Sequence, residues 1–159
     1  MKHSQQGFFL IEAMVAILIF ALGVLGLVAM GGTAVATQSD AQYRTEASSL
    51  ADAIAGEMAV NIDRTTPASI AAALATFQHQ PGGANCAFNG AVATNPIIKG
   101  IADQAGNLTA VPGLPGANSA MQQVLVDAGD PFNRVEITLC WKTANDAAPR
   151  RHTLVTYIN

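Results

Sequence analysis

The chain opens on a short polar leader, Met1-Lys2-His3-Ser4-Gln5-Gln6-Gly7, followed by an unbroken apolar run from Phe8 to Met30. The run is 23 residues long, enough to cross a bilayer as a single helix. It holds one ionisable side chain, Glu12, near its start. After the Gly31-Gly32 pair the pattern changes. Apolar residues recur at Tyr43, Ala47, Leu50, Ile54, Met58 and Ile62, the spacing of a helix with one buried stripe. Asp40, Arg44, Asp52 and Asp63 fall between them, with Asp40 and Arg44 set one turn apart. A continuous helix from Phe8 to about Arg64 would be about 85 Å long. Gly23, Gly26, Gly31 and Gly32 either let it bend or permit close helix packing in lipid.

Thr65-Thr66-Pro67 ends that pattern or caps the next element, and Pro67 to Phe77 reads as a short second helix with proline in its first turn. His79 to Asn118 is rich in Gly, Pro and Asn and reads mostly as loop, with Pro81-Gly82-Gly83, Asn89-Gly90 and Pro112-Gly113-Leu114-Pro115-Gly116. Ser119 is a candidate cap for a third short helix through Asp127. Val135, Ile137 and Leu139 alternate with polar residues as a half-buried strand does, and Thr153 to Ile158 would be its partner across a turn between Thr143 and Pro149. The predicted class is α+β: a long N-terminal helix, half transmembrane and half amphipathic, laid against a small antiparallel sheet. The predicted boundaries are a leader at 1–7, a membrane or filament-core helix at 8–30, its amphipathic continuation at 31–64 and a globular domain at 65–159.

Composition sharpens the picture in two places. The 159 residues carry a formal net charge of −3, which argues against a nucleic-acid surface. Beyond residue 30 the chain is Ala-, Gly-, Thr- and Asn-rich and poor in aromatics, so its core is thin and a crosslink would matter to it. The two cysteines are Cys86 and Cys140. If this part is exported they meet an oxidising compartment and would form a disulfide; otherwise they are two buried thiols. No cysteine–histidine cluster has metal spacing, so no metal or other cofactor is expected.

Lys2 is the only charged side chain before Glu12 and would keep the N-terminus cytoplasmic, with the remainder on the far side of the membrane. Three readings of this N-terminus compete. An ordinary signal peptide has a possible peptidase site at Ala34-Val35-Ala36, but its apolar region is normally shorter and uncharged. A plain uncleaved anchor leaves Glu12 without a purpose. The third reading comes from Gly7-Phe8-Phe9-Leu10-Ile11-Glu12 with its apolar run, which resembles the processing signature of type IV prepilins and of the pseudopilins of type II secretion.

That resemblance implies cleavage by a prepilin peptidase between Gly7 and Phe8 and N-methylation of Phe8. It implies that Glu12 is a charge partner in assembly. Burial alone gives the same need: a carboxylate among packed apolar helices requires an opposite charge, and the amine of a neighbouring subunit's Phe8 can supply it. Leu22-Gly23-Val24-Leu25-Gly26-Leu27 and Tyr43-Arg44-Thr45-Glu46-Ala47-Ser48-Ser49-Leu50-Ala51-Asp52 resemble the PilV-type minor pilins. The expected function is therefore a structural subunit that helps start, cap or modify a type IV pilus. Its partners would be other major and minor pilins, prepilin peptidase and the inner-membrane assembly platform. It would wait in the inner membrane with its domain in the periplasm, then reach the pilus at the cell surface. A secretion pseudopilin is the near alternative; a membrane-anchored or secreted periplasmic binding domain is the alternative of another class.

Enzymatic chemistry has little to stand on. His3 lies in the leader, His79 in a segment read as flexible loop, and His152 beside Arg150-Arg151. No nucleophile motif or phosphate loop occurs. Asp127, Asp130 and Glu136 lack the calcium-loop pattern and read as solvated or turn residues. Arg150-Arg151-His152, the one dense basic cluster, reads as solvated, with DNA or an acidic partner surface as the alternative. Trp141, the sole tryptophan, is expected to pack against a disulfide at Cys140, with a partner contact as the alternative.

Overall fold

A single α-helix, α1, runs without interruption over Gln6–Asn61 in the computed structural model, which describes residues 6–105, 113–127 and 129–158. Most of the leader expected at 1–7, including Lys2 and His3, lies outside the described residues, as does Pro112. No proline interrupts α1. Its mid-helix hydroxyls are satisfied by the helix itself: Thr33 donates to Met30 O at 2.9 Å, Thr37 to Thr33 O at 2.9 Å and Ser39 to Val35 O at 3.0 Å. At the C-terminal end, Arg64 Nη1 donates to Ala59 O at 2.9 Å, covering a carbonyl that the helix leaves open, and Asn61 Nδ2 adds a bond to Glu57 O at 3.1 Å. The helix stops at Asn61, three residues short of the expected boundary at 64.

The chain divides into two compact units, Met1–Ala41 and Gln42–Asn159. The first is helix alone. In the second, Ala47, Ile54 and Met58 of the predicted stripe on α1, with Ile62 just beyond the helix, are buried; its Tyr43 and Leu50 are partly buried, and Ala51, outside the predicted stripe, is buried as well. They share one core with Leu74 and Phe77 of α2 (Pro67–Phe77), Ile98 of α3 (Pro96–Ala105), Leu114, and residues of a three-stranded sheet. Alanines at 47 and 51 keep the helix surface low, so the sheet's larger side chains fit against it.

Thr66 caps α2 as the sequence suggested. Its Oγ1 accepts from Ser69 N–H at 3.0 Å, Ser69 Oγ accepts from Thr66 N–H at 3.0 Å, and Pro67 fills the first helical position.

The sheet is antiparallel in the order β3 (Gln122–Asp127), β4 (Arg134–Trp141), β5 (Arg150–Tyr157). Its register sets Val124 against Ile137 and Ile137 against Leu154. Val135, Ile137, Leu139 and Trp141 all face the core. The layout is α+β and pilin-like: a long N-terminal helix followed by small antiparallel sheets.

Three sequence expectations fail here. The segment from Ser119 is a single 3-10 turn, Ser119–Met121, and residues 122–127 are strand, because Val124 and Val126 are β-branched and pair with β4. The stretch from His79 is not mostly loop. It contains a hairpin, β1 (Gly82–Ala84) with β2 (Ala87–Asn89), and α3. Asn95 Oδ1 caps α3 by accepting from Ile97 N–H at 2.9 Å and Ile98 N–H at 3.2 Å. The hairpin turns through Asn85 and Cys86, both at positive φ (53° and 63°), the two-residue turn whose twist suits a β-ribbon. Gly83, at φ 84°, admits no side chain, since a Cβ there would run into Ala87 O.

His79, too, is not in a flexible loop: it is buried. It exchanges backbone hydrogen bonds with Val124, each 3.0 Å, and its Nδ1 accepts from Ala93 N–H at 3.2 Å. That acceptor role assigns the ring proton to Nε2, which lies 3.3 Å from both the carbonyl and the hydroxyl of Ser119.

Candidate assembly site on the N-terminal helix

From Phe9 to Met30 the helix is apolar all round except at Glu12, and every residue of that stretch is exposed. Phe9, Phe20 and Leu27 each expose more than 70% of their surface, and the span is long and apolar enough to cross a membrane. A helix that is hydrophobic all round needs a lipid or protein environment to cover it. Gly7 and Phe8 stand in its first turn, and Phe8 and Glu12 are one turn apart on the backbone. Glu12 is exposed, on a face shared with Ile11, Val15, Ala16 and Ile19, and has no hydrogen-bond or ion-pair partner among the described residues. A carboxylate carried into a bilayer or helical bundle in that state costs about 3 kcal/mol or more. The geometry presents one acid on a continuous greasy rod.

The second unit carries a different set of polar groups. Cys86 and Cys140 are joined in a disulfide, Cα–Cα 5.8 Å, which ties the β1–β2 turn to β4. Phe88 and Met121 pack on it in a small cluster separate from the main core. Trp141 does not share that cluster. It follows Cys140 in β4, so its side chain points to the opposite face, where it is fully buried in the main core. Its indole Nε1 has no hydrogen-bond partner among the described residues.

Arg150 is not simply solvated. Its Nε and Nη2 donate to Asp146 Oδ1 at 2.9 and 2.7 Å, while Asp146 Oδ2 accepts from the hydroxyl and N–H of Thr143 at 2.8 and 2.9 Å. Thr143 and the Arg150 guanidinium hold the Asp146 carboxyl down at about 2. The turn between β4 and β5 is thereby locked by side chains that sequence pattern alone marked only as turn formers. Arg151 is exposed and His152 half-buried.

The three acids weighed for calcium serve local structure. Asp127 accepts from Gly129 N–H, Asp130 from Phe132 N–H, and Glu136 pairs with Arg134 at 2.7 Å. Among the described residues, no three His, Cys, Asp or Glu side chains converge on a metal position.

An α+β chain that begins with an apolar rod bearing one acid has the form of a membrane-anchored pilin. Residues 2–28 match the family model of the prokaryotic N-terminal methylation motif, which supports a type IV pilin-family protein and suggests a structural subunit. The match spans the leader, the Gly7–Phe8 junction and Glu12. No curated protein and no solved structure matches the chain. Pilins carry this motif as the substrate of prepilin peptidase and associate with one another, so the match implies both for this chain.

Proposed function

We propose that the protein is a minor pilin, a non-enzymatic subunit that helps initiate, cap or modify a type IV pilus. Prepilin peptidase cleaves it between Gly7 and Phe8 and methylates Phe8. The mature chain waits in the inner membrane with residues beyond the helix in the periplasm. It enters a filament when the Glu12 carboxylate meets the amine of a neighbouring subunit's Phe8. The observation that carries this reading is the methylation motif at residues 2–28 on a helix whose apolar run to Met30 holds a single charge, Glu12. Burial of that acid is tolerable only with a cationic partner, and cleavage creates one a turn away in sequence, available to the next subunit in the stack.

N-terminal sequencing of the mature protein from its native membranes tests this. The expected start is methylated Phe8. A start at Thr37 would mark signal-peptidase cleavage, and an intact Met1 a plain anchor; either result sinks the proposal. Recovery in sheared pili, rather than only in secretion-dependent fractions, separates the minor pilin from a type II secretion pseudopilin, which shares the same N-terminal motif.

A further inference from the structure

Between Arg64 and Lys99 the chain has no Asp, Glu, Lys, Arg or Tyr, and the one cysteine there is in the disulfide. His79 is therefore the only side chain of that stretch that can change its charge, and it is buried, 1% exposed. It stands where four segments meet. Its backbone exchanges two hydrogen bonds with Val124, each 3.0 Å, and so closes the β3 edge of the sheet. Its ring reaches the other two segments. Nδ1 accepts from Ala93 N–H at 3.2 Å, on the chain leading into α3, and Nε2 lies 3.3 Å from the carbonyl and the hydroxyl of Ser119 in the 3-10 turn. The next residue, Gln80, is held at φ 49°, a left-handed conformation that is costly for a residue with a Cβ. Two hydrogen bonds keep it there: Gln80 N–H donates to Ala91 O at 2.8 Å, and Gln123 Nε2 donates to Gln80 O at 2.9 Å.

We propose that His79 is an acid-sensitive clasp: neutral, it fastens residues 79–95 to β3 and to the Ser119 turn, and on taking a proton it lets them go. The ring holds Ala93 only through the lone pair of Nδ1. Protonation fills that lone pair, sets one N–H against another, and leaves a cation in a buried place. No carboxylate is at hand to receive it. α2, the 3-10 turn and residues 79–95 carry no charged side chain. On β3 the only acid is Asp127, beyond Val124, and it accepts from Gly129 N–H. On β4, Glu136 pairs with Arg134 at 2.7 Å. α3, which starts beside Ala93, places the cationic Lys99 one turn in and Asp103 at its far end. A histidine in water takes a proton near pH 6.5, and His79 does so only after leaving Ala93. The closed state is thus at full strength above that pH and loses ground as pH falls through it. Opening relaxes Gln80, leaves the β1–β2 hairpin tethered by Cys86–Cys140, and bares the backbone of Val124 on the sheet edge.

The test uses the full-length chain, disulfide intact, in detergent micelles at pH 7.5 and pH 5.0. Amide hydrogen-exchange protection, corrected for the intrinsic effect of pH, should fall about thirtyfold at Ala93 and Val124, the ratio set by one proton taken up only in the open state. At Leu139, in the middle strand, it should change less than about threefold. Nitrogen-15 spectra of the His79 ring should show a bare Nδ1 at pH 7.5, protonated along the same pH curve as the loss of Ala93 protection. His79→Asn keeps an acceptor near the Nδ1 position and takes no proton, so its Ala93 and Val124 protection should not respond to pH. His152→Gln should leave the parent's response unaltered, and the Asp146 carboxyl, held at about 2, titrates below this window. The inference is overturned by a fall of less than about threefold at Ala93 and Val124, by an Nδ1 that carries a proton at pH 7.5, or by ring and Ala93 curves that do not coincide. A response that persists in His79→Asn or vanishes in His152→Gln overturns it equally. Should His79→Asn fail to fold, the coincidence of the two curves in the parent chain decides.

Discussion

Replacing both cysteines by alanine, Cys86→Ala with Cys140→Ala, should lower the melting temperature of the second unit by about 15 °C. The bond joins residues 54 apart in sequence, and closing a loop of that size removes unfolded-chain entropy worth about 4 kcal/mol in the chain-entropy account. Unfolding of about 118 residues carries an entropy of about 0.25 kcal/mol per degree, which converts that loss to about 16 °C. The small cluster of Phe88 and Met121 around the sulfurs adds little, because Phe88 sits at the edge of burial and Met121 is only half-buried. Trp141 is the assay. It is the only tryptophan, is fully buried in the main core and lies on the face of β4 away from the disulfide, so its fluorescence follows core unfolding rather than local loss of the bridge. The full-length protein in micelles is heated with and without reductant, and the alanine pair is heated in parallel. Reduced parent and alanine pair should melt together, well below the oxidised parent. A shift under about 4 °C for the alanine pair would refute the claim that this thin core depends on its crosslink.

Other outcomes rest on single contacts. Glu12→Gln should leave cleavage after Gly7 intact yet reduce recovery in sheared filaments at least tenfold, since removing one partner of a buried ion pair costs about 3–5 kcal/mol; normal recovery would remove the charge-pairing step. Met58→Ala, at a fully buried position, should cost about 2–5 kcal/mol in chemical denaturation, whereas Val60→Ala on the exposed side of the same helix should stay within about 0.5 kcal/mol. The Asp146 carboxyl is held at about 2 in the folded chain, below its ordinary 3.8. The stability it confers is therefore complete above about pH 4 and is lost as pH falls toward 2. Asp146→Asn should melt below the parent at pH 5–7 and converge on it near pH 2; parallel melting curves across that range would exclude the Thr143–Asp146–Arg150 lock as a stabilising element.

What the sequence made legible divides along a physical line. The stripe from Tyr43 to Ile62, the cap at Thr66 and the pairing of β4 with β5 were all readable, because each is set by neighbours three, four or two residues away, or by strong alternation flanking an evident turn. Asn95 with Pro96 was a local signal of the same kind, a cap and a first-turn proline, and it marks α3 inside a stretch whose glycines suggested loop. The departures at Ser119–Asp127, His79 and the β1–β2 hairpin have another origin. Gln122-Gln123-Val124-Leu125-Val126 has no decisive period alone; it becomes a strand through β4, and its outer edge is closed by His79, 45 residues earlier. A hairpin of three-residue strands containing two glycines is too weak to stand alone and is held by the bond from Cys86 to Cys140. Trp141 went to the main core because neighbours in a strand face opposite ways, a rule that needs the strand placed first.

The same line explains why the candidate site was more legible than the domain behind it. Over the apolar run helical spacing alone is enough to set Phe8 and Glu12 one turn apart on a helix that is otherwise apolar up to Met30. The large apolar side chains of residues 9–30 are exposed, and Glu12, the one acid of that run, has no mate among the described residues. A segment so organised specifies its environment rather than its own fold: apolar neighbours on all sides and a cation near Glu12. Lipid meets the first requirement and only poorly the second. A bundle of identical or related helices, each beginning with a free amine, would meet both, which is what the proposed pairing of Glu12 with a neighbouring subunit's Phe8 requires.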